Sequence, residues 1–174
     1  QKSGCHNINL VTPTHYTPQI VSALKYAIEN GLSIPIVYNC SGYESVKTLS
    51  LLKGIIDIYM PDFKYGLAEC AKKYSNAPDY FEVCKVAVIE MFNQVGNLML
   101  DRDGIAYRGL IVRHLVLPNN LESSKKVIEF IAKEISKDCY VNIMAQYRPV
   151  FKSSKFSEIG RMLTIQEFYD VINH

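Results

Sequence analysis

The chain has 174 residues, 48% of them hydrophobic, and a formal charge of +2 from 19 basic against 17 acidic side chains. That is enough for one domain with a sizeable core, the composition is ordinary for a globular protein, and no basic run or aromatic-interleaved stripe suggests nucleic acid as a partner. No apolar stretch approaches the ~20 residues of a membrane span and Gln1 to Cys5 lack a signal-type apolar core, so the expectation is a soluble cytoplasmic protein with no membrane partner. From the N-terminus, the pattern predicts a strand over 6–11, then a helix opened by Thr17-Pro18, a hydroxyl N-cap followed by proline at the first helical position. That helix carries Ile20, Leu24, Ala27 and Ile28 on its apolar face and stops at Gly31. Residues 34–38 are nearly all apolar, which suits a parallel strand covered on both faces. A short helix opening at Glu44 or Ser45 runs through Val46, Leu49 and Leu52 to Gly54, and 55–60 read as the third strand.

Residues 64–109 differ in kind. They predict a short helix within 65–74, a long one over 79–95 ended by Gly96, and a hairpin of 98–100 with 105–107 about the turn Asp101-Arg102-Asp103-Gly104, an insertion in an otherwise repeating plan. The plan resumes with a strand over 110–117 and a helix over 121–136 that buries Ile128, Ile131, Ala132 and Ile135. A strand over 140–144 and an irregular stretch around 151–156 follow, then a last helix opened by a capping box of Thr164 and Glu167. Strand and helix alternate, and β-crossover-β units are right-handed, so the expected fold is α/β: a parallel sheet with helices outside, curved into an open or partial (β/α) TIM-like barrel. No linker divides it, so 1–174 reads as a single domain. The chain does not begin with Met and starts just before a strand, which reads as an N-terminally truncated piece.

After each predicted parallel strand comes a polar cluster, and in such a sheet these clusters gather at the carboxyl ends of the strands. Asp62-Phe63-Lys64 carries the most chemical weight. With a side-chain period of two, 62 and 64 share a side, so a carboxylate and an ammonium can face one zwitterionic ligand, a desolvated Lys64 can act as a Schiff-base nucleophile, or the two can form a solvated ion pair at the rim. Thr12, Thr14 and His15 offer hydroxyls and an imidazole before a helix start, suited to an anion or simply to capping. Asn39, Cys40 and Ser41 supply an amide, a thiol and a hydroxyl at the next strand end, with no base nearby in sequence to activate Cys40. Arg113 and His114 point to opposite faces of one strand; Arg113, sharing its face with Ile111, Leu115 and Leu117, needs an anionic partner, either a rim carboxylate or a ligand. Gln146 and Tyr147 complete the ring, and His6 reads as a surface residue. The five cysteines, 5, 40, 70, 84 and 139, are odd in number and scattered, which fits a reducing compartment and makes no zinc or iron-sulfur ligand set.

The stretches Gly4 to Tyr16, Pro35 to Tyr43, Asp57 to Tyr65, Arg108 to Pro118 and Val141 to Tyr147 closely resemble, in order, a branch of the radical SAM superfamily, the proteins related to the pyruvate formate-lyase activating enzyme. The resemblance implies a partial (β/α)6 barrel and a 4Fe-4S cluster. That cluster passes one electron to S-adenosylmethionine, whose cleavage yields methionine and a 5'-deoxyadenosyl radical that abstracts hydrogen. It also implies a glycyl-radical enzyme or other protein as substrate, and an electron donor such as flavodoxin or ferredoxin. Under it, Thr12, Thr14 and His15 occupy the position of the family's Gly-Gly-Glu motif, from which they differ in residue type. Asn39, Ser41 and Asp62 fall near the methionyl end, Lys64 at the Asp-x-Lys position, and Arg113, Gln146 and Tyr147 around the ribose and adenine. The family's cluster-holding Cys-x3-Cys-x2-Cys does not occur among these residues, so the resemblance puts those cysteines upstream of Gln1, leaves no catalytic residue or metal ligand in the chain itself, and makes the piece alone inactive.

Two other readings stand beside this one. A lysine-dependent aldolase-type barrel would use Lys64 as Schiff-base residue and Asp62 as proton shuttle. A non-catalytic barrel would bind a partner, or a second copy of itself, through its open sheet edge.

Overall fold

The computed structural model describes residues Gln1–His174. Five strands run parallel in the order in which they occur: β1 (Ile8–Val11), β2 (Ile36–Cys40), β3 (Ile58–Pro61), β5 (Ala106–Leu115) and β6 (Tyr140–Met144). The two-residue β4 (Met99–Leu100) pairs antiparallel with the first half of β5. Each parallel strand is added on the same side of its predecessor, and right-handed crossovers then send the connecting helices to one face of the sheet. These are α1 (Thr17–Glu29), α2 (Val46–Leu51), α3 (Ala68–Ser75) with α4 (Tyr80–Val95), and α5 (Leu121–Phe130). Alternation along the strands puts Ile36, Tyr38, Cys40, Tyr59, Leu110 and Val112 into one core with Leu24, Leu49, Val88, Met91 and Val127 of the helices. Val37, Ile58, Met60 and Ile111 look the other way and line a cleft of about 350 Å³ with the β4–β5 turn. β1 on one side, and β4 with β6 on the other, remain unpaired edges, so the sheet is mixed, mostly parallel and not a closed barrel.

Several boundaries move from their sequence-predicted places, each for a local reason. β2 begins at Ile36 because Pro35 has no N–H to give the ladder, and it runs on to include Asn39 and Cys40. Ile55 and Ile56 belong to the turn after α2, both donating to the Leu52 carbonyl, so β3 starts at Ile58. The predicted hairpin strand and the following strand are one ten-residue strand, β5, which carries β4 along its first half and β6 along its second. Ile28, in the last turn of α1, is exposed. The helix predicted over 121–136 is α5 followed by a π-helical turn, Ile131–Ile135, and its inward face is Ser123, Ser124, Val127, Phe130 and Ile131, with Ala132 outside. Apolar periodicity missed the two serines because their burial is satisfied by hydrogen bonds. The last helix, α6 (Ile165–Ile172), has the expected capping box, Thr164 Oγ1 accepting from the Glu167 N–H and the Glu167 carboxylate accepting from the Thr164 N–H.

β5 can continue through its middle only because residue 109 is glycine. Its φ is +122°, and a Cβ there would meet the Asn97 carbonyl oxygen and come within 2.5 Å of Leu98 Cα, both backbone. Gly109→Ala is expected to lower unfolding stability by about 2–4 kcal/mol, read from the urea midpoint at unchanged m-value. An unshifted midpoint would mean that the 97–98 backbone yields freely.

Candidate functional site

Beyond the ladder of β3, the chain from Asp62 to Gly66 has no strand on which to spend all its backbone groups, and buried ones need partners. Two are taken by neighbouring strands: the Asp62 N–H donates to Cys40 O at 2.9 Å and the Phe63 N–H to Arg113 O at 2.8 Å. Side chains supply the rest. The Tyr80 hydroxyl, from the first turn of α4, accepts from the Lys64 N–H at 3.0 Å and shares its proton between the carbonyls of Asp62 at 2.8 Å and Ser41 at 2.9 Å. His114 Nδ1 lies 2.7 Å from Phe63 O, and its Nε2 lies 2.8 Å from Ser124 Oγ. A carbonyl only accepts, so Nδ1 carries the hydrogen and Nε2 accepts from the serine. Ser123 Oγ accepts from the Gly66 N–H at 2.8 Å. Phe63 itself is fully buried against Tyr80, Phe81 and Phe130.

So held, the segment projects Asp62 and Lys64 from the helix-free face. Asp62 Oδ2 accepts from Lys64 Nζ at 2.8 Å, and Asp62 Oδ1 accepts from Arg113 Nε at 2.8 Å, with Arg113 Nη2 in ion-pair contact at 2.6 Å. Arg113 Nη2 also donates to Asn39 Oδ1 at 2.8 Å. The strand ends of β2, β3 and β5 thus meet in one network, and Asp62, Lys64 and Arg113 line a cleft of about 180 Å³ with Leu115, Met144 and Gln146 of β5, β6 and the chain beyond. One carboxylate faces two cations, which leaves one surplus positive charge toward solvent. Of the two partners the sequence offered Arg113, the structure supplies the rim carboxylate.

The other sequence-predicted residues lie elsewhere. Thr12 is exposed in the left-handed region, φ +52°, ahead of a 3-10 turn, Pro13–Tyr16. Thr14 donates to Glu44 Oε1 at 2.6 Å, His15 is exposed on the same turn, and Ser41 offers its hydroxyl to the Tyr43 N–H. Tyr147 is buried, donates to Ile159 O at 2.8 Å and faces a second cavity rather than the cleft. Cys40 is buried, and desolvation, with the nearby Glu44 carboxylate, pushes its thiol well up, which leaves no thiolate nucleophile there. Gly42 closes this corner: with φ +77°, a Cβ would run into Asp62 O and lie 2.7 Å from Cys84 Sγ.

Sequence reading passed over Tyr80, Ser123, Ser124 and Glu44. Glu44 is 2% exposed and has no cation bound to it; its carboxylate accepts from Thr14 and from Tyr38 Oη at 3.4 Å. The one available signal was an acidic residue at a predicted helix start, which reads as capping.

Among curated proteins, the uncharacterized protein MJ0674 of Methanocaldococcus jannaschii is 36% identical to the chain over 164 residues, which is 92% of this chain and 43% of that protein. The chain therefore spans less than half the length of the curated relative it matches. No protein-family model matches the chain, and no solved structure matches it. No helix is long and apolar enough to cross a membrane.

Two buried groups give opposite pH slopes. Burial lowers the His114 pKa, so its stabilising contribution is complete above the ordinary histidine value of about 6.5 and is lost as pH falls below it, where the unfolded chain binds a proton that the folded one refuses. Unfolding free energy should drop from pH 7.5 to 5.5, and His114→Gln should flatten that drop. Burial raises the Glu44 pKa, so its contribution is complete below the unfolded carboxyl value and is lost as pH rises. Glu44→Gln should therefore gain stability relative to the parent at pH 7, with the gain shrinking toward pH 4. A pH-independent difference would place the effect in packing instead.

Proposed function

We propose that these residues form part of the S-adenosylmethionine pocket of a radical SAM enzyme, similar to the pyruvate formate-lyase activating type, on a partial (β/α) barrel. The observation that carries the reading is the convergence of Asp62, Lys64, Arg113 and Gln146 around one cleft, with Asn39 of the neighbouring strand end bonded to Arg113. Its surplus cation suits the carboxylate of an amino-acid-like ligand, while Gln146 offers uncharged hydrogen bonds. When bound, S-adenosylmethionine supplies hydrogen-atom abstraction through its reductive cleavage. In this reading Arg113 and Lys64 hold the carboxylate, Asp62 keeps both cations aimed, and Leu115 and Met144 keep water from that side.

The residues fit that cofactor and do not fit the cluster. No three Cys, His, Asp or Glu side chains converge for a metal, so in this reading the cluster would be held by cysteines other than these. A glycyl-radical enzyme or other protein as substrate, and flavodoxin or ferredoxin as electron donor, belong to the same proposal. The aldolase-type alternative is served less well: Lys64 is 38% exposed and paired with Asp62, whereas a Schiff-base lysine is activated by desolvation. The unpaired β1 and β6 edges keep the partner-binding reading open.

The test is made on the full-length polypeptide, reconstituted with iron and sulfide without oxygen. Reduction should yield methionine and 5'-deoxyadenosine, and Asp62→Asn should weaken S-adenosylmethionine binding by calorimetry about tenfold or more, with cluster absorbance unchanged. A loaded protein that neither binds nor cleaves the cofactor rejects the reading. Borohydride trapping of a carbonyl ligand on Lys64 would favour the aldolase instead.

A further inference from the structure

Beside the charged cleft lies a second cavity of about 190 Å³, reached along the same two pieces of chain: Leu115 faces the first and Leu117 the second, Gln146 the first and Tyr147 the second. Its wall is aromatic, built of Tyr65, Tyr74, Tyr147 and Phe156, with Tyr74 and Phe156 edge-to-face at 5.3 Å. On its lip, Phe151 is 87% exposed at φ +55° and Val150 is 70% exposed. A non-glycine residue held in the left-handed region is uncommon and carries a modest backbone cost. Lys152 Nζ stands 5.2 Å from the centre of that ring.

The charge around this mouth is one-sided. Between Asp138 and Glu158 the sequence holds Arg148, Lys152 and Lys155 and no acid. None of the three makes a salt bridge, while the carboxylate at the end of the segment, Glu158, is already taken by Lys73 and by the Tyr74 hydroxyl at 3.1 Å. Arg148 and Lys152, two free cations on the wall of an apolar hole, match a polypeptide that brings one bulky apolar side chain flanked by carboxylates, the anchor-and-rim arrangement of protein interfaces.

We propose that this cavity is a docking site for an acidic segment of a partner protein, which seats an apolar side chain against the rings of Tyr74 and Phe156 and pairs its carboxylates with Arg148 and Lys152. The proposal does not depend on radical chemistry at the neighbouring cleft.

The experiment screens the intact protein against a display library of seven-residue peptides with randomised positions, then measures selected and scrambled peptides by fluorescence anisotropy. Selected sequences should combine a central Phe, Leu or Met with flanking Asp and Glu. Affinity should fall about tenfold or more in the double variant Arg148→Glu, Lys152→Glu, and separately in Phe151→Ala, all exposed positions whose replacement leaves the melting curve in place. Added salt should weaken binding in the parent and not in the double variant. Selection of neutral or basic peptides, no selection at all, binding untouched by the charge reversal, or preferential binding of a single-stranded oligonucleotide would each overturn the proposal.

Discussion

Everything at the strand ends depends on how the five residues after β3 are tied down. A strand ladder stops at Pro61, and the next residues would be a mobile loop if their amides and carbonyls turned to water. Instead Tyr80, His114 and Ser123, from α4, β5 and α5, each take backbone groups of this segment. Every one of these ties crosses from a different element, so the position of Asp62 and Lys64 is set by the packing of the helix layer as a whole. Phe63, between them and wholly buried, is the apolar counterpart of the same anchoring. A pair of charges carried on such a base loses little freedom on meeting a ligand, which is what a binding site needs.

The network above this base is neither a buried salt bridge nor a loose surface pair. Asp62, Lys64 and Arg113 are between about a quarter and two-fifths exposed, so solvent screens them and their net worth to folding is small. Their geometry is nonetheless tight, with one carboxylate bound by both cations and Asn39 holding the far side of the guanidinium. An arrangement that adds little to stability yet fixes three charges at hydrogen-bond distance is one that the proposed ligand pocket would use, its surplus positive charge meeting the ligand's carboxylate.

The repeat of apolar run, polar cluster and helix was legible because period and strand order are written in residue type, and the polar cluster after the third strand lies at the centre of the charged network. Asp62, Lys64 and Arg113 were reachable from alternation, and Asn39 only from its place just after a predicted strand. The supporting residues were not. Ser123 and Ser124 sit on a helix face that hydropathy assigns to solvent, and Tyr80 reads as one more aromatic in a long amphipathic helix; their roles exist only through hydrogen bonds to residues far away in sequence. Thr14 is the converse case, a hydroxyl at a strand end that reads as a ligand group and is turned instead to Glu44. Strand ends misjudged by two residues had a further effect, since they hid that Asn39 belongs to β2 and projects from the same face as Asp62.

The sheet also separates its titratable groups by face. On the helix side, His114, Glu44, Cys40 and Cys84 are buried, and in each case desolvation pushes the pKa toward the uncharged form. On the other side, one residue along each strand, the ionised groups meet one another and solvent. His114 and Arg113 are adjacent in sequence, and alternation alone sends one into a neutral structural role and the other into the charged cleft. A slip of one residue in the β5 register would bury the guanidinium in the helix layer and expose the imidazole, at a cost far beyond what such a fold can bear. The placement of the site and the register of its central strand are therefore one constraint: the charges fix the strand as firmly as the strand fixes the charges.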